Sequence, residues 1–307
     1  MSFSMTKLPR RALLAAPLGM TLLPVWSAPR ADRLPPSLAA LERRHGGRLG
    51  VAVLDTGSQR LWGHREDERF GLCSTFKLLL AAAVLQQIDA GRLAADRWVP
   101  FHGAPKVPNS PVTDAHQAAG GMTLLALAQA TQTTSDNLAA NLLMRELSGD
   151  QGPQWLTQWL RERGDAVTRI DRWEPEMNHV PPGEVRDTSS PAAMARTAAL
   201  LLTGPVLQPP HRELLQGWTE ATRTGLKRLR AGFSEGWRAG DKTGTGWRPG
   251  QADKINDVAI VWPPGRAPWV VAAYYEAPRH TEPDLRPQDI AVLAAVGREV
   301  TKVLRQP

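Results

Sequence analysis

"LGVAVLDTGSQRLWGH", residues 49–64, reads as two strands around a turn. Apolar residues run on both sides of Thr56-Gly57-Ser58, and such runs broken by a small glycine-bearing stretch are the signature of a β-hairpin. A two-stranded ribbon is marginal in water by itself, so the fold turns on where its partners lie. The next strand signals come nearly two hundred residues later: "WRAGDKTGTGW" at 237–247, "NDVAIVWPPG" at 256–265 and "PWVVAAYYEA" at 268–277. Between them the periodicity is helical. "TLLALAQATQTTSDNLAANLLMREL" carries apolar residues at spacings of three and four, and "SPAAMARTAALLL" repeats the pattern after a Ser189-Ser190 cap. Further helices are expected near Pro36–His45 and, as an amphipathic closing element, from roughly Arg286 to Arg305.

Strands at both ends with helices between them predict an α/β fold: one antiparallel β-sheet built from both termini with flanking helices, and an inserted all-α lobe. The α/β part is assigned to 32–68 with 213–307, and the all-α part to 69–212. Their boundary is a natural place for a cleft.

The first 31 residues stand apart. Lys7, Arg10 and Arg11 precede an uncharged segment from Ala12 to Pro29 that Pro17, Gly19 and Pro24 interrupt. This is the pattern of an export signal, with an Arg-Arg pair compatible with the twin-arginine route, and it is too broken for a membrane span. The expected product has no stable membrane anchor and works in the bacterial periplasm. Of the formal charge of +7, Lys7, Arg10, Arg11 and Arg30 supply four, so the basic balance belongs in part to the leader. No basic run with interleaved aromatics remains, which argues against nucleic acid as a partner. Cys73 is the only cysteine, so no intramolecular disulfide forms. The seven histidines show no metal-ligand spacing. Neither a metal nor another cofactor is expected.

Chemistry enters at "FGLCSTFKLLLAAAVL", residues 70–85, where Ser74 and Lys77 stand three apart at the head of an apolar run. Residues so spaced share a helix face, and a helix apolar nearly all round is buried. Burial disfavours the charged form of a lysine, which makes Lys77 a potential proton acceptor for the serine hydroxyl unless a carboxylate offsets the shift. The pattern alone is weak: Ser4-Met5-Thr6-Lys7 in the leader has it too, and a serine there is often only a helix cap. Ser135-Asp136-Asn137 and Lys242-Thr243-Gly244 follow in chain order. S-x-x-K, S-D-N and K-T-G together are the signature of class A β-lactamases and penicillin-binding proteins, and the chain resembles that penicillin-recognising serine family over essentially its whole mature length.

The resemblance implies a role for each matching residue. Ser74 would be the nucleophile that opens the β-lactam ring, with Lys77 in its proton network. Ser135 would relay a proton to the leaving nitrogen, and Asn137 would bind the substrate's side-chain amide. Lys242, Thr243 and Gly244 would form the opposite wall, holding the substrate carboxylate. The backbone N–H groups of Ser74 and Thr245 would make the oxyanion hole. "DRWEPEMNHVPPGEVRDTSSP", residues 171–191, resembles the Ω-loop of β-lactamases: Glu174 matches the deacylating base, Asn178 its companion in holding water, and Arg172 and Asp187 the pair that closes the loop. Pro175 matches a cis-peptide position.

An intact Ω-loop favours a hydrolase over the alternative, a DD-peptidase or penicillin sensor that acylates without turnover. Penicillins and cephalosporins are the expected substrates, with an acyl-serine intermediate, and antibiotic resistance is the consequence. Arg228, fourteen positions before Lys242, and Thr245 match groups that help bind the carboxylate in relatives of broad range, carbapenemases included. Asn109 stands where the family usually has an aromatic gatekeeper, and Gly246 where some carbapenemases carry the cysteine that pairs with the one before the nucleophile. Cys73 is expected to be a buried small apolar residue. The enzyme is expected to be a monomer whose partners are small β-lactam molecules.

Overall fold

The strands that the sequence holds far apart lie side by side. A computed structural model describes residues 1–2, 34–247, 251–280 and 284–305; apart from its first two residues, the predicted export leader lies outside the described residues. Helix α1 (Leu34–His45) leads into β1 (Arg48–Asp55) and β2 (Leu61–His64), the expected hairpin. Its turn is held by Asp55, whose Oδ1 accepts the Gly57 N–H at 2.8 Å. The chain then runs through β3 (Phe70–Gly71), α2 (Phe76–Asp89), β4 (Trp98–Pro100), α3 (Pro111–Ala115), β5 (Gly121–Thr123), α4 (Leu124–Thr133), α5 (Asn137–Ser148), α6 (Gly152–Arg161), β6 (Thr188–Ser189), α7 (Pro191–Thr203) and α8 (Pro209–Ala221). It closes with β7 (Arg238–Gly246), β8 (Lys254–Trp262), β9 (Trp269–Glu276) and α9 (Pro287–Leu304).

The main sheet is antiparallel in the order β2-β1-β9-β8-β7, with β1 joined to β9 in a register that sets Val51 against Ala273. The two ends of the chain are thereby sewn together at the middle of the sheet. Both faces are covered. Ala52, Leu54, Val258, Ile260, Val270, Ala272 and Tyr274 share one core with the inserted helices, while Leu49, Val51, Val53, Ile255, Ala259, Val261, Val271, Ala273 and Tyr275 share another with α1 and α9. A strand buried on both faces has no polar side to show, which is why β8 and β9 read as continuous apolar runs instead of alternating ones.

The inserted segment is helical with two additions. Short two-stranded ladders, β3 with β6 and β4 with β5, lie inside the stretch read as all-helical; pairings two or three residues long carry no readable period-2 pattern. The boundary drawn between residues 212 and 213 falls inside α8, whose helix runs unbroken through it. Helix α2, apolar nearly all round from Leu78 to Leu85, is the buried axis of the lobe. Strand β7 is the sheet edge nearest its head. A Cβ placed on Gly244 would stand 2.8 Å from the Leu72 carbonyl oxygen and 3.2 Å from Cys73 Cβ, so the glycine of K-T-G is what allows the edge strand to press against the serine-bearing turn.

Candidate active site

Ser74 sits in the 3-10 turn Cys73–Thr75 that runs into α2, and Cys73 enters it with φ +44°. The serine does not cap the helix: the capping position is Thr75, which makes no side-chain cap bond and donates its hydroxyl to the Leu72 carbonyl at 2.8 Å. Ser74 Oγ is turned instead to Lys77 and Glu174. Lys77 Nζ lies 3.0 Å from it, as the shared helix face requires, and Glu174 Oε1 lies 3.4 Å from it. Lys77 and Glu174 also touch each other, Nζ to Oε1 at 3.0 Å, with both side chains fully buried.

Burial drives the Lys77 pKa below the usual lysine range, and the Glu174 carboxylate, which pulls it back up, does not cancel the effect. The offset anticipated from sequence is therefore present and loses. Lys77 is further held by the Ser135 carbonyl at 2.9 Å and by Asn137 Oδ1. Ser135 turns the chain between α4 and α5 with φ +62°, which points its carbonyl at Lys77 while its hydroxyl lies 3.0 Å from Lys242 Nζ. Asp136 fixes that turn from beneath. It caps α5 through Ala139 N at 2.9 Å and accepts the backbone N–H groups of Val112 and Thr113, each at 2.9 Å. The S-D-N motif is thus a helix cap and a junction between two lysines at once.

Lys242 is fully buried. Desolvation pushes its pKa well below the ordinary lysine value, and the positive charges of Lys77 and Arg228 add to that, against the pull of Asp241 and Asp257. Arg228, also buried, donates to the carbonyls of Gly244 and Asn256 at 2.8 and 2.6 Å and to Thr245 Oγ1 at 2.6 Å. It orders the edge strand and aims its remaining charge along it. A cavity of about 620 Å³ opens over these groups. Ser74, Ser135, Asn137, Asn109, Asn178, Arg228, Thr243 and Thr245 line it. Lys77, Glu174, Lys242 and Gly244 are not at its surface and lie beneath the wall. Arg172 and Asp187 are away from it at the loop neck, paired Nε to Oδ2 at 2.5 Å.

The loop hangs on that pair. Asp187 Oδ1 also accepts the Asp171 and Arg172 N–H groups at 2.7 and 3.0 Å, and Arg172 donates to the His179 carbonyl at 2.8 Å. The Glu174-Pro175 bond is cis. Asn178 Nδ2 donates to Glu174 Oε2 at 2.5 Å, so each carboxylate oxygen is held from a different side. Asn141, which the sequence reading missed, clamps the Glu174 backbone: its Oδ1 accepts the Glu174 N–H at 3.0 Å and its Nδ2 donates to the Glu174 carbonyl at 2.9 Å. The signal was its place four residues after Asn137, on the same face of α5. Thr224, also missed, lines the cavity with its hydroxyl 2.7 Å from that of Thr243.

Cys73 is fully buried, and burial lifts its thiol pKa to about 12. A Cβ on Gly246 would lie 3.0 Å from its sulfur. Among the described residues no cluster of His, Cys, Asp and Glu could hold a metal ion.

Residues 33–304 match the model of the β-lactamase enzyme family. β-Lactamase L2 of Stenotrophomonas maltophilia is 45% identical over 267 residues, covering 87% of this chain and 84% of that protein. The carbapenem-hydrolyzing β-lactamase KPC of Klebsiella oxytoca is 41% identical over 295 residues, covering 94% and 95%. Among solved structures, an ancestral class A β-lactamase superposes with a TM-score of 0.81 at 51% identity, covering 88% of this chain and 99% of its own. A β-lactamase of Xanthomonas campestris pv. campestris gives 0.82 at 43% identity, covering 90% and 98%.

Proposed function

The chain belongs to the β-lactamase enzyme family, as a class A serine β-lactamase, and on that premise we propose how its own residues open the β-lactam ring and release the product. The observation that carries the reading is the position of Ser74 Oγ, between Lys77 Nζ at 3.0 Å and Glu174 Oε1 at 3.4 Å, with Asn178 on the other carboxylate oxygen.

Ser74 Oγ attacks the lactam carbonyl carbon as its proton passes to Lys77, whose lowered pKa makes the neutral amine accessible. Lys77 and Glu174 are in contact at 3.0 Å, so a proton taken up by the amine lies within reach of the carboxylate. The developing oxyanion is met by the backbone N–H groups of Ser74 and Thr245, a type of contact worth about 10²–10³ in rate per donor. The ring nitrogen leaves with a proton delivered through Ser135, whose hydroxyl lies between Lys242 and Lys77. The substrate carboxylate rests on Thr243 and Thr245, over the charge of Arg228 and Lys242, and Asn137 takes the side-chain amide with the amide hydrogen that its bond to Pro108 leaves free. In the second half, Glu174 and Asn178 hold a water, Glu174 takes its proton, and the hydroxide attacks the ester carbonyl. Ser74 leaves with a proton returned through the same pair.

Penicillins and cephalosporins are the proposed substrates. The Arg228–Thr245 contact supports a range wider than penicillins. We further propose that the enzyme is exported as a monomer to the periplasm after loss of its leader; among the described residues no helix is long and apolar enough to cross a membrane. The test is to mix purified protein with excess penicillin, cephalosporin or carbapenem while following ring-opening absorbance and intact mass. Continuing loss of substrate with enzyme at its free mass is expected for the first two, and the carbapenem arm sets the range. A single equivalent consumed with a lasting adduct would overturn the hydrolase mechanism in favour of a peptidase or sensor.

A further inference from the structure

One polar side chain interrupts the face that β8 turns to the helices. Val258 and Ile260 enter the core shared with the inserted lobe, and Asn256, which precedes them on the same face, is 1% exposed. Asparagine is a poor strand residue, and a buried amide is tolerated only where it is bonded. Its Nδ2 is used outside the sheet, donating to the Gly71 carbonyl at 2.8 Å and to the Leu72 carbonyl at 3.2 Å.

Those carbonyls belong to the segment that delivers the nucleophile. Cys73 follows Leu72 with φ +44°, in a narrow allowed region that leaves little room for adjustment, so the Ser74 N–H moves with the Leu72 carbonyl. That carbonyl also accepts the Thr75 hydroxyl at 2.8 Å. Asn256 is tied equally to the other wall. It stands opposite Gly244 in the β7–β8 register, and its own carbonyl accepts Arg228 at 2.6 Å, the guanidinium that bonds the Gly244 carbonyl and Thr245 Oγ1. One residue thus joins the turn that carries Ser74 to the strand that carries Thr245. The segment before the turn has no ladder to the main sheet, since β3 pairs with β6. A further polar tie, between Thr75 Oγ1 and Tyr274 Oη, is 3.3 Å long and lies beyond the serine.

An oxyanion hole built from two elements works only when both donors stand about 2.7–3.1 Å from the developing charge. We propose that Asn256 is a positioning residue for this pair: its side-chain amide fixes the Leu72 carbonyl, and with it the Ser74 N–H, at the spacing from the Thr245 N–H that an oxyanion needs. This rests on the acyl-serine reading and assigns a residue to one part of it.

The test uses the benzylpenicillin acyl-enzyme in a Glu174→Gln background, read by infrared difference spectroscopy. An ester carbonyl polarised by two well-placed N–H groups absorbs at lower frequency than one held loosely. Asn256→Ala is expected to move the band to higher frequency, and Asn256→Ser, which keeps a donor in less bulk, to place it between. With Glu174 present, Asn256→Ala is expected to lower kcat about tenfold, less than a full ångström of misplacement costs. An unmoved band would overturn the proposal: with a lowered melting temperature Asn256 is merely structural, and with an unchanged one it is a bystander. The hydrolase reading fails separately, if the enzyme with both Glu174 and Asn256 keeps its adduct; the band shift still tests the positioning there. A Ser74 left unmodified with Asn256 in place would overturn both.

Discussion

Lys77 is a buried amine in contact with a carboxylate, and the balance of those two influences sets what it can do. Burial wins and the pKa falls, yet Glu174 holds it higher than it would otherwise be. Glu174→Gln removes the charge that raises it, so the Lys77 pKa falls further and the neutral amine persists to more acid pH. The first-turnover acylation rate, measured against pH, is therefore expected to keep an acid limb that moves to lower pH in the variant. An acid limb that stays in place would mean that Lys77 is not the group that titrates. At this scale the sequence was most legible. Ser74, Lys77, Ser135, Glu174 and Lys242 sit in short motifs whose spacing is tied to one element, and Glu174 and Asn178 are a turn apart in one loop. Asn141 was missed because its partner is the backbone of a residue 33 positions away, and its place one turn beyond Asn137 marks the face it shares but not that partner.

Strand β7 shows what an element adds to its residues. Its front edge presents Thr243 and Thr245 to the cavity; behind it, Asp241 and Asp257 of β8 are buried together among Arg228, Arg230 and Lys242. Arg230 pairs with Asp241 at 2.9 Å, and Leu229 N donates to Asp257 Oδ2 at 3.1 Å. Burial raises both carboxyl pKa values, and the nearby Asp241 charge helps push Asp257 well above 3.8. The sign follows: a raised pKa means the folded state keeps a proton that the unfolded state has released. This stabilisation is complete below 3.8 and is lost as pH rises through the folded value. Asp257→Asn keeps an acceptor for Leu229 and cannot ionise, so its melting temperature is expected to decline less than that of wild type as pH is raised from 4 to about 8. Parallel curves would show that Asp257 does not carry the effect. The long strands β8 and β9 were readable from their apolar runs, whereas the two-residue ladder β3–β6 was set by tertiary packing and left no pattern.

For the whole molecule, the interleaving of termini and lobe is the decisive feature. The order of strand and helix signals alone implied a sheet closed by its two ends, and the register of β1 on β9 realises it. A sharp division into two parts was the less physical expectation, since α8 crosses the drawn boundary and one core runs from the sheet face at Val258 and Tyr274 into the helices at Leu127 and Leu143. Parts that share a core unfold together. Calorimetry is expected to give a single transition whose calorimetric and van't Hoff enthalpies agree, and two resolved transitions would show independent lobes. The same continuity holds Ser74, from the lobe, against Lys242 and Thr245, from the sheet, and the cavity over them is where we place the chemistry. The most direct check of that chemistry is intact mass after one equivalent of benzylpenicillin is added to wild type and to Glu174→Gln. The account predicts that wild type returns to its free mass while the variant keeps an adduct that peptide mapping locates on Ser74. An adduct that clears equally fast from both, or that persists equally on both, would contradict the assignment of Glu174 as the base that frees the enzyme.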